Sequence, residues 1–147
     1  MYTKINEKDS AMKLGAIYSK EKTTFTLFSP VADSVFVIFY DKGNDSAETG
    51  RLEMVRGEGE LRSIFSATAE GNLDGVYYTY EVHTSDGTFS SHDPYARACG
   101  VNGHRSMVID LSKTDPDGFA DEDRPKLADP MSMVITEVSV ADVSAGA

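Results

Sequence analysis

The chain has 147 residues, about the length of one domain, and its hydrophobic fraction of 40% is enough to form a core, so wholesale disorder is excluded. The net charge of −10 argues against nucleic acid and membranes as partners, and no apolar run is long enough to span a bilayer. The single cysteine, Cys99, excludes an internal disulfide and a site built from several cysteines, and such a residue is typically small, apolar and buried.

The first residues differ in character from those that follow. Residues 1–13 carry charges without a periodic pattern and lack the apolar stretch of a signal peptide, so we predict a leader and leave the compartment open.

Residues 24–27 alternate polar and apolar side chains, as a half-buried strand does. Residues 35–40 are apolar on both faces, which predicts a central strand or one covered on its second face.

The second face of residues 35–40 carries three large side chains, Phe36, Ile38 and Tyr40. Two interpretations of this face stay open. The three side chains complete a two-layer core, or they form a surface that docks onto another domain.

The middle of the chain predicts strands at residues 51–55, 64–67 and 76–82. The last of these alternates most clearly, because its valines and two of its tyrosines fall on one face. We therefore predict an inner strand with Tyr78 and Tyr80 buried.

A hairpin and further strands complete the pattern. Ser-Asp-Gly at residues 85–87 predicts a hairpin turn, with the return strand starting at residues 88–90. Residues 106–111 and 133–140 are predicted strands, and residues 112–132, with three prolines and several aspartates, are a predicted linker. Short strands separated by turns are typical of an all-β sandwich.

No catalytic, metal or cofactor site can be identified in the sequence. His83, His92 and His104 lack metal-ligand spacing and are interpreted as solvated or locally hydrogen-bonded. Carboxylates are abundant, but several lie at turns and no pair that could face a sugar is evident. Neither a glycine-rich phosphate loop nor a serine nucleophile elbow occurs. We therefore predict no catalytic residue, no metal and no cofactor.

Aromatic side chains are the remaining candidates for contact with a sugar, because a flat ring stacks on the C–H-rich face of a pyranose. The chain has no Trp, which leaves Tyr77, Tyr78, Tyr80 and Phe89. At alternating strand positions such residues are more typical of a core than of a binding platform.

Six segments together carry a family resemblance. They are L-G-A-I-Y at 14–18, T-F-T-L-F-S-P-V-A at 24–32, V-F-V-I-F-Y-D at 35–41, G-V-Y-Y-T-Y-E-V at 75–82, D-P-Y-A-R-A-C-G-V-N-G at 93–103 and R-P-K-L at 124–127. In this order and spacing they resemble the β-sandwich that precedes the barrel in type I pullulanases. Residues 133–144 resemble the first strand of the α-amylase-type barrel, although Thr136, Ser139, Ala141 and Val143 replace the expected side chains.

The resemblance implies a fold and a parent enzyme. The fold is an all-β, immunoglobulin-like antiparallel sandwich of the early-set class, in carbohydrate-binding module family 48, over residues 14–111. The parent belongs to glycoside hydrolase family 13 and cleaves α-1,6 branches of starch, glycogen or pullulan, with its catalytic carboxylates on later barrel strands. Residues 112–132 are then a linker and residues 133–147 a remnant of the first barrel strand. The chain alone is not an enzyme, and its partner is the parent's barrel.

Glucan binding is expected to be weak. Glucan-binding members of the resembled family present two Trp faces and a Lys, and only Phe89 is in register with one of the two Trp here. A single stacked ring contributes about 1–3 kcal/mol, which alone corresponds to roughly millimolar dissociation or weaker. Two alternatives to a barrel-supporting module stay open: an independent starch- or glycogen-binding module, and a protein-interaction β-sandwich.

Overall fold

The computed structural model describes residues 13–123 and 126–145. The chain divides after Thr114 into two compact units, each of which is treated by itself below. The predicted leader lies outside the described residues except for Lys13, and the R-P of the linker motif at 124–125 lies outside them as well. The boundaries proposed from the sequence for sandwich, linker and barrel strand stay predictions.

The first unit is built from short antiparallel strands. In chain order they are β1 Gly15–Tyr18, β2 Lys22–Phe28, β3 Ser34–Tyr40, β4 Glu48–Glu53, β5 Val55–Arg56, β6 Ile64–Glu70, β7 Tyr77–Thr84, β8 Gly87–Ser91, β9 Ala98–Cys99 and β10 Ser106–Met107. One sheet has the order β1-β2-β6-β5. The other has the order β4-β3-β7-β10-β9, with β8 paired to β7. The prediction of an all-β antiparallel sandwich is confirmed.

The core lies between the inner faces of the two sheets. Strand alternation places the apolar side chains there, and the buried set is Phe25, Leu27, Ala32, Val35, Val37, Met54, Phe65, Tyr78, Tyr80 and Val108. The Phe25 ring meets the Tyr78 ring edge-on at 5.0 Å between centroids. Tyr78 and Tyr80 are fully buried, so the predicted inner strand is confirmed. Each large side chain buried in this way contributes about 1.5–3 kcal/mol.

A buried carboxylate fixes the D-P-Y motif to the core. Asp93 accepts hydrogen bonds from the hydroxyls of Tyr78 at 2.7 Å and Tyr80 at 3.2 Å, and from the backbone N–H of Tyr95 at 2.8 Å. Its own backbone N–H donates to the Ser106 hydroxyl at 2.8 Å. Burial, followed by the charge of Asp93, raises the pKa of both tyrosines far above its ordinary value. The phenols therefore stay protonated and act as donors.

Gly15 is a site of close approach to the same motif. Its φ is +89°, and a Cβ there would lie 2.8 Å from the Cβ of Tyr95 and 3.4 Å from a carboxylate oxygen of Asp93. Only a residue without a side chain fits this position unstrained, which explains the glycine of the L-G-A-I-Y segment.

Two local predictions are corrected. Cys99 is exposed rather than buried, because β9 is a two-residue strand at the edge of its sheet. The strand predicted at 106–111 ends at Met107 in β10. A 3₁₀ turn, Leu111–Lys113, follows because the side chain of Asp110 accepts from the backbone N–H of Ser112 and caps it.

The second unit contains three short helical segments in its described part. Two are 3₁₀ turns, Phe119–Asp121 and Pro130–Ser132, and the third is the α-helix α1, Val140–Ser144. Residues 133–139, predicted as strand together with Val140, have no regular secondary structure, since a strand needs a ladder partner and none pairs with it among the described residues. The likeness to a first barrel strand stays a prediction. Within the described ranges, no helix has the length and apolar character that a bilayer span requires.

Candidate functional site

The outer face of the larger sheet carries Phe36, Ile38 and Tyr40. Strand pairing places them opposite Glu81, Thr79 and Tyr77 of β7 respectively. Ile38 is only 3% exposed, whereas Phe36 and Tyr40 are partly exposed. The face is therefore neither part of the core between the sheets nor a bare apolar surface.

A line of charged groups crosses this face above Phe36. Arg51 of β4 makes a bidentate contact with Glu48 at 3.0 and 3.2 Å, and it donates to Glu81 of β7 at 3.4 Å. Glu81 also bonds the His83 ring at 2.9 Å, so His83 is locally hydrogen-bonded as predicted. Hydrogen bonding from Arg51 lowers the pKa of Glu48. The guanidinium carbon lies 5.6 Å from the centre of the Phe36 ring, within cation–π distance.

A polar groove opens beside Tyr40, with a volume of about 360 Å³. Its walls come from the turn after β3, from β7 and β8, and from the turn before β10. The lining residues are Tyr40, Asn44, Asp45, Thr79, Ser90, His104 and Arg105. Hydroxyl, amide and carboxylate groups around one aromatic ring form the kind of surface that hydrogen-bonds a polar ligand such as a sugar.

Arg105 is the cation of this groove, and its guanidinium lies over the aromatic ring. Its guanidinium carbon is 3.5 Å from the centre of the Tyr40 ring. It donates to the carbonyl of Lys42 at 2.7 Å and to the hydroxyl and carbonyl of Ser46 at 2.8 and 2.9 Å. Arg105 therefore ties the turn after β3 to the turn before β10.

Phe89, predicted in register with a sugar-stacking position, lies elsewhere. It is 53% exposed and pairs across strands with Val82, whose side chain packs on the core side of the sheet. Ser90, the next residue, lines the groove on the other face. Because successive strand residues point to opposite faces, the structure does not bring Phe89 and Tyr40 together.

Sequence reasoning missed Arg105 and the groove. The Asn-Gly signal at residues 102–103 predicts a turn, but nothing in it shows that the next arginine reaches Tyr40. The groove closes only when the turns after β3 and before β10 meet, at Gly43 and Gly100. A Cβ on Gly43 would lie 2.8 Å from the Cα of Gly100, and no local pattern in the sequence shows that these two glycines face each other.

A second groove, of about 390 Å³, runs beside β1 and residues 107–112. Near its end Lys113 contacts Asp74 at 2.6 Å and Asp110 at 3.8 Å. Hydrogen bonds from Lys113 lower the pKa of Asp74, and hydrogen bonds from Ser112 lower that of Asp110. Both carboxyls are ionised at neutral pH, so this pair lacks the protonated acid that glycoside hydrolysis needs. Among the described residues, no cluster of three or more His, Cys, Asp or Glu could hold a metal ion.

Comparisons with known proteins agree with the fold. The family model Carbohydrate-binding module 48 (Isoamylase N-terminal domain) matches residues 13–96. Pullulanase A of Streptococcus pneumoniae serotype 4 is 31% identical over 116 residues, which are 74% of this chain and 9% of that protein. The Bacillus subtilis pullulanase is 30% identical over 98 residues, which are 66% of this chain and 13% of that protein.

Solved structures give the same result. The crystal structure of apo pullulanase from Paenibacillus barengoltzii matches with a TM-score of 0.78 and 35% identity, over 88% of this chain and 19% of that one. The pullulanase of Bacillus acidopullulyticus matches with a TM-score of 0.73 and 35% identity, over 80% of this chain and 14% of that one.

These matches cover most of this chain but less than a fifth of each relative named above. The family match takes in the strands β1 to β8, which supply nearly all of the core. The chain belongs to the carbohydrate-binding module 48 (isoamylase N-terminal domain) family.

Proposed function

We propose that this chain is the N-terminal module of a debranching enzyme of the pullulanase type, and that it packs on and supports the catalytic barrel of its parent. The observation that carries the proposal is the match to the Paenibacillus barengoltzii pullulanase, with 35% identity and a TM-score of 0.78 over 88% of this chain. Modules of this family are non-catalytic, which confirms the prediction that the chain alone is not an enzyme.

The docking surface in this proposal is the outer face with Phe36, Ile38 and Tyr40. Its apolar groups lie under Arg51 and Arg105, so a partner there meets guanidinium and carboxylate groups as well as ring edges. Attraction between exposed charges is screened by salt. Binding to a barrel through this face is therefore expected to weaken as salt is raised.

The test combines the chain with the remainder of the Paenibacillus barengoltzii pullulanase, expressed without the region that matches this chain. We expect a complex and a higher melting temperature of that remainder. Arg51→Glu should weaken the complex at least about tenfold, which is about 1.4 kcal/mol. Lys20→Glu, in the exposed turn before β2, is the matched control and should bind as the parent sequence does. No complex, or equal binding by Arg51→Glu, would contradict the proposal.

The second candidate function is that of an independent glucan-binding module, and the polar groove beside Tyr40 favours it. Calorimetry with maltoheptaose and β-cyclodextrin separates the two. We expect dissociation at roughly millimolar concentration or weaker, because Tyr40 is covered and Phe89 offers one ring. Phe89→Ala should remove the heat that remains. A micromolar constant that survives Phe89→Ala would favour the independent module.

A further inference from the structure

The Tyr40 ring is the aromatic surface of the polar groove, and its face is occupied by the protein itself. The guanidinium carbon of Arg105 lies 3.5 Å from the ring centre, which is van der Waals contact for stacked planar groups. A pyranose that stacks on the same face needs the same layer of space. Arg105 and a sugar ring therefore exclude each other on that face.

Arg105 is held in this position from several sides. Its two terminal nitrogens donate to the Lys42 carbonyl and to the hydroxyl and carbonyl of Ser46. Its own carbonyl accepts from the backbone N–H of Gly100 at 2.8 Å. Planar guanidinium groups with several hydrogen bonds lose little further freedom when they stack. The covered ring is thus a fixed feature of the groove rather than one of many side-chain arrangements.

The backbone beneath Arg105 is also closely packed. Gly43 and Gly100 approach so closely that a Cβ on Gly100 would lie 2.5 Å from the Cα of Gly43. The two turns are in contact before any side chain is considered. A ligand that moved Arg105 aside would have to break its hydrogen bonds to Lys42 and Ser46 without gaining room from the backbone.

The rest of the groove has what a sugar site needs. Asn44, Asp45, Ser90 and His104 offer donors and acceptors, and the Tyr40 hydroxyl bonds Thr79 at 3.3 Å, which holds the ring in place. We propose that Arg105 is a specificity-determining residue that closes this groove to stacked α-glucan, so that its removal creates a binding platform on Tyr40. The inference rests on the proposed function, because it takes α-glucan as the ligand.

The test measures maltoheptaose binding by calorimetry with the full chain. Arg105→Ser removes the guanidinium, and we expect at least a tenfold lower dissociation constant than for the parent sequence. Adding Tyr40→Leu to that variant should abolish the gain. Arg56→Ser is the matched control, because Arg56 also stacks on a ring, that of Phe65 at 4.7 Å, and also donates to backbone carbonyls, those of Ala32 and Asp33. Its removal should leave glucan binding unchanged.

Two outcomes overturn the inference. One is a folded Arg105→Ser, judged by circular dichroism and melting temperature, that binds no better than the parent sequence. The other is a gain that persists after Tyr40→Leu. If Arg105→Ser does not fold, Arg105→Lys decides the matter, because its ammonium can donate to the same carbonyls but lacks the planar guanidinium that covers the ring. A folded Arg105→Lys without any gain overturns the inference equally.

The outcomes for the groove and for the module are separable. Glucan affinity gained by Arg105→Ser without any complex with the barrel would contradict the proposed function and leave the inference standing. A complex with the barrel and no gain in affinity would do the reverse.

Discussion

Three hydrogen-bond donors meet at the buried carboxylate of Asp93: the hydroxyls of Tyr78 and Tyr80 and the backbone N–H of Tyr95. A buried carboxylate without partners is costly, and a buried tyrosine hydroxyl without an acceptor is costly as well. Here each group satisfies the other. The arrangement joins the most buried strand to the segment that leads toward β9.

The raised pKa values of Tyr78 and Tyr80 predict that the protein loses stability at high pH. Burial raises the pKa of Tyr78 and Tyr80 in the folded state, whereas the unfolded chain releases both protons near pH 10. Above that pH the folded state holds more protons, so the free energy of unfolding should fall by about 1.4 kcal/mol per pH unit for each tyrosine. Urea unfolding at a series of pH values measures the slope.

Two variants assign that slope. Tyr78→Phe should remove one tyrosine's share of the slope, and Tyr80→Phe should remove the other. Ultraviolet absorbance should also show Tyr78 and Tyr80 unionised until the protein unfolds. Ionisation of Tyr78 and Tyr80 near pH 10 in the folded protein would contradict the shift.

A second residue-scale prediction concerns Gly15. Gly15→Ala places a Cβ 2.8 Å from the Cβ of Tyr95 at a φ of +89°, so we expect a loss of about 1–3 kcal/mol in the free energy of unfolding. Gly50→Ala is the control, because the nearest atom to a Cβ there lies at 4.0 Å, ordinary contact distance. Urea unfolding of both variants checks the difference. Equal losses would show that the contact with Tyr95 is not the cause.

Among the elements, β7 shows what alternation can predict. Its inner tyrosines and the hairpin to β8 follow from the local pattern, because both depend on residues next to one another in the chain. Contacts between residues that are distant in the chain do not follow from a local pattern. The Arg105–Tyr40 stack joins residues 65 positions apart, and it depends on how two turns meet rather than on either turn alone.

The errors have the same physical origin. Residues 133–140 have strand-forming side chains, yet strand formation depends on a partner and not on propensity alone. Cys99 was expected to be buried on the usual behaviour of the residue type, but its two-residue strand lies at a sheet edge. The local pattern therefore predicted the sandwich well, whereas the residues that line the groove could be identified only from the folded structure.

The difference between the paired strand β7 and residues 126–145 predicts different rates of amide hydrogen exchange. In the described residues 126–145, the regular hydrogen bonds are confined to two short helical segments, and Val134 and Ile135 are 92% and 80% exposed. We expect their amide protons to exchange early, while those of β7, paired on both sides, stay protected. Hydrogen exchange followed by mass spectrometry checks this. Protection in residues 126–145 equal to that of β7 would refute it.

At the scale of the whole molecule, the charge of the surface bears on which partners and which chemistry are available. The net charge of −10 disfavours nucleic acid and anionic membrane surfaces as partners. The acidic pair Asp74 and Asp110 has no proton to donate at neutral pH, since both pKa values are lowered.

We therefore expect the purified chain to release no reducing ends from pullulan or amylopectin. A reducing-sugar assay at neutral pH measures this, with Asp74→Asn as a comparison that tests the pair directly. Turnover that stays with the protein through repeated purification, and that Asp74→Asn abolishes, would overturn the conclusion.

The exposed thiol of Cys99 is a single attachment point for a spectroscopic probe. The sequence contains one cysteine, so a maleimide dye attaches at a single place without any engineering. That place pairs with Ser106 in the ladder and adjoins Gly100, where the two turns of the groove touch. A dye on Cys99 therefore reports, by its emission, when the environment of those turns changes, as is expected in Arg105→Ser.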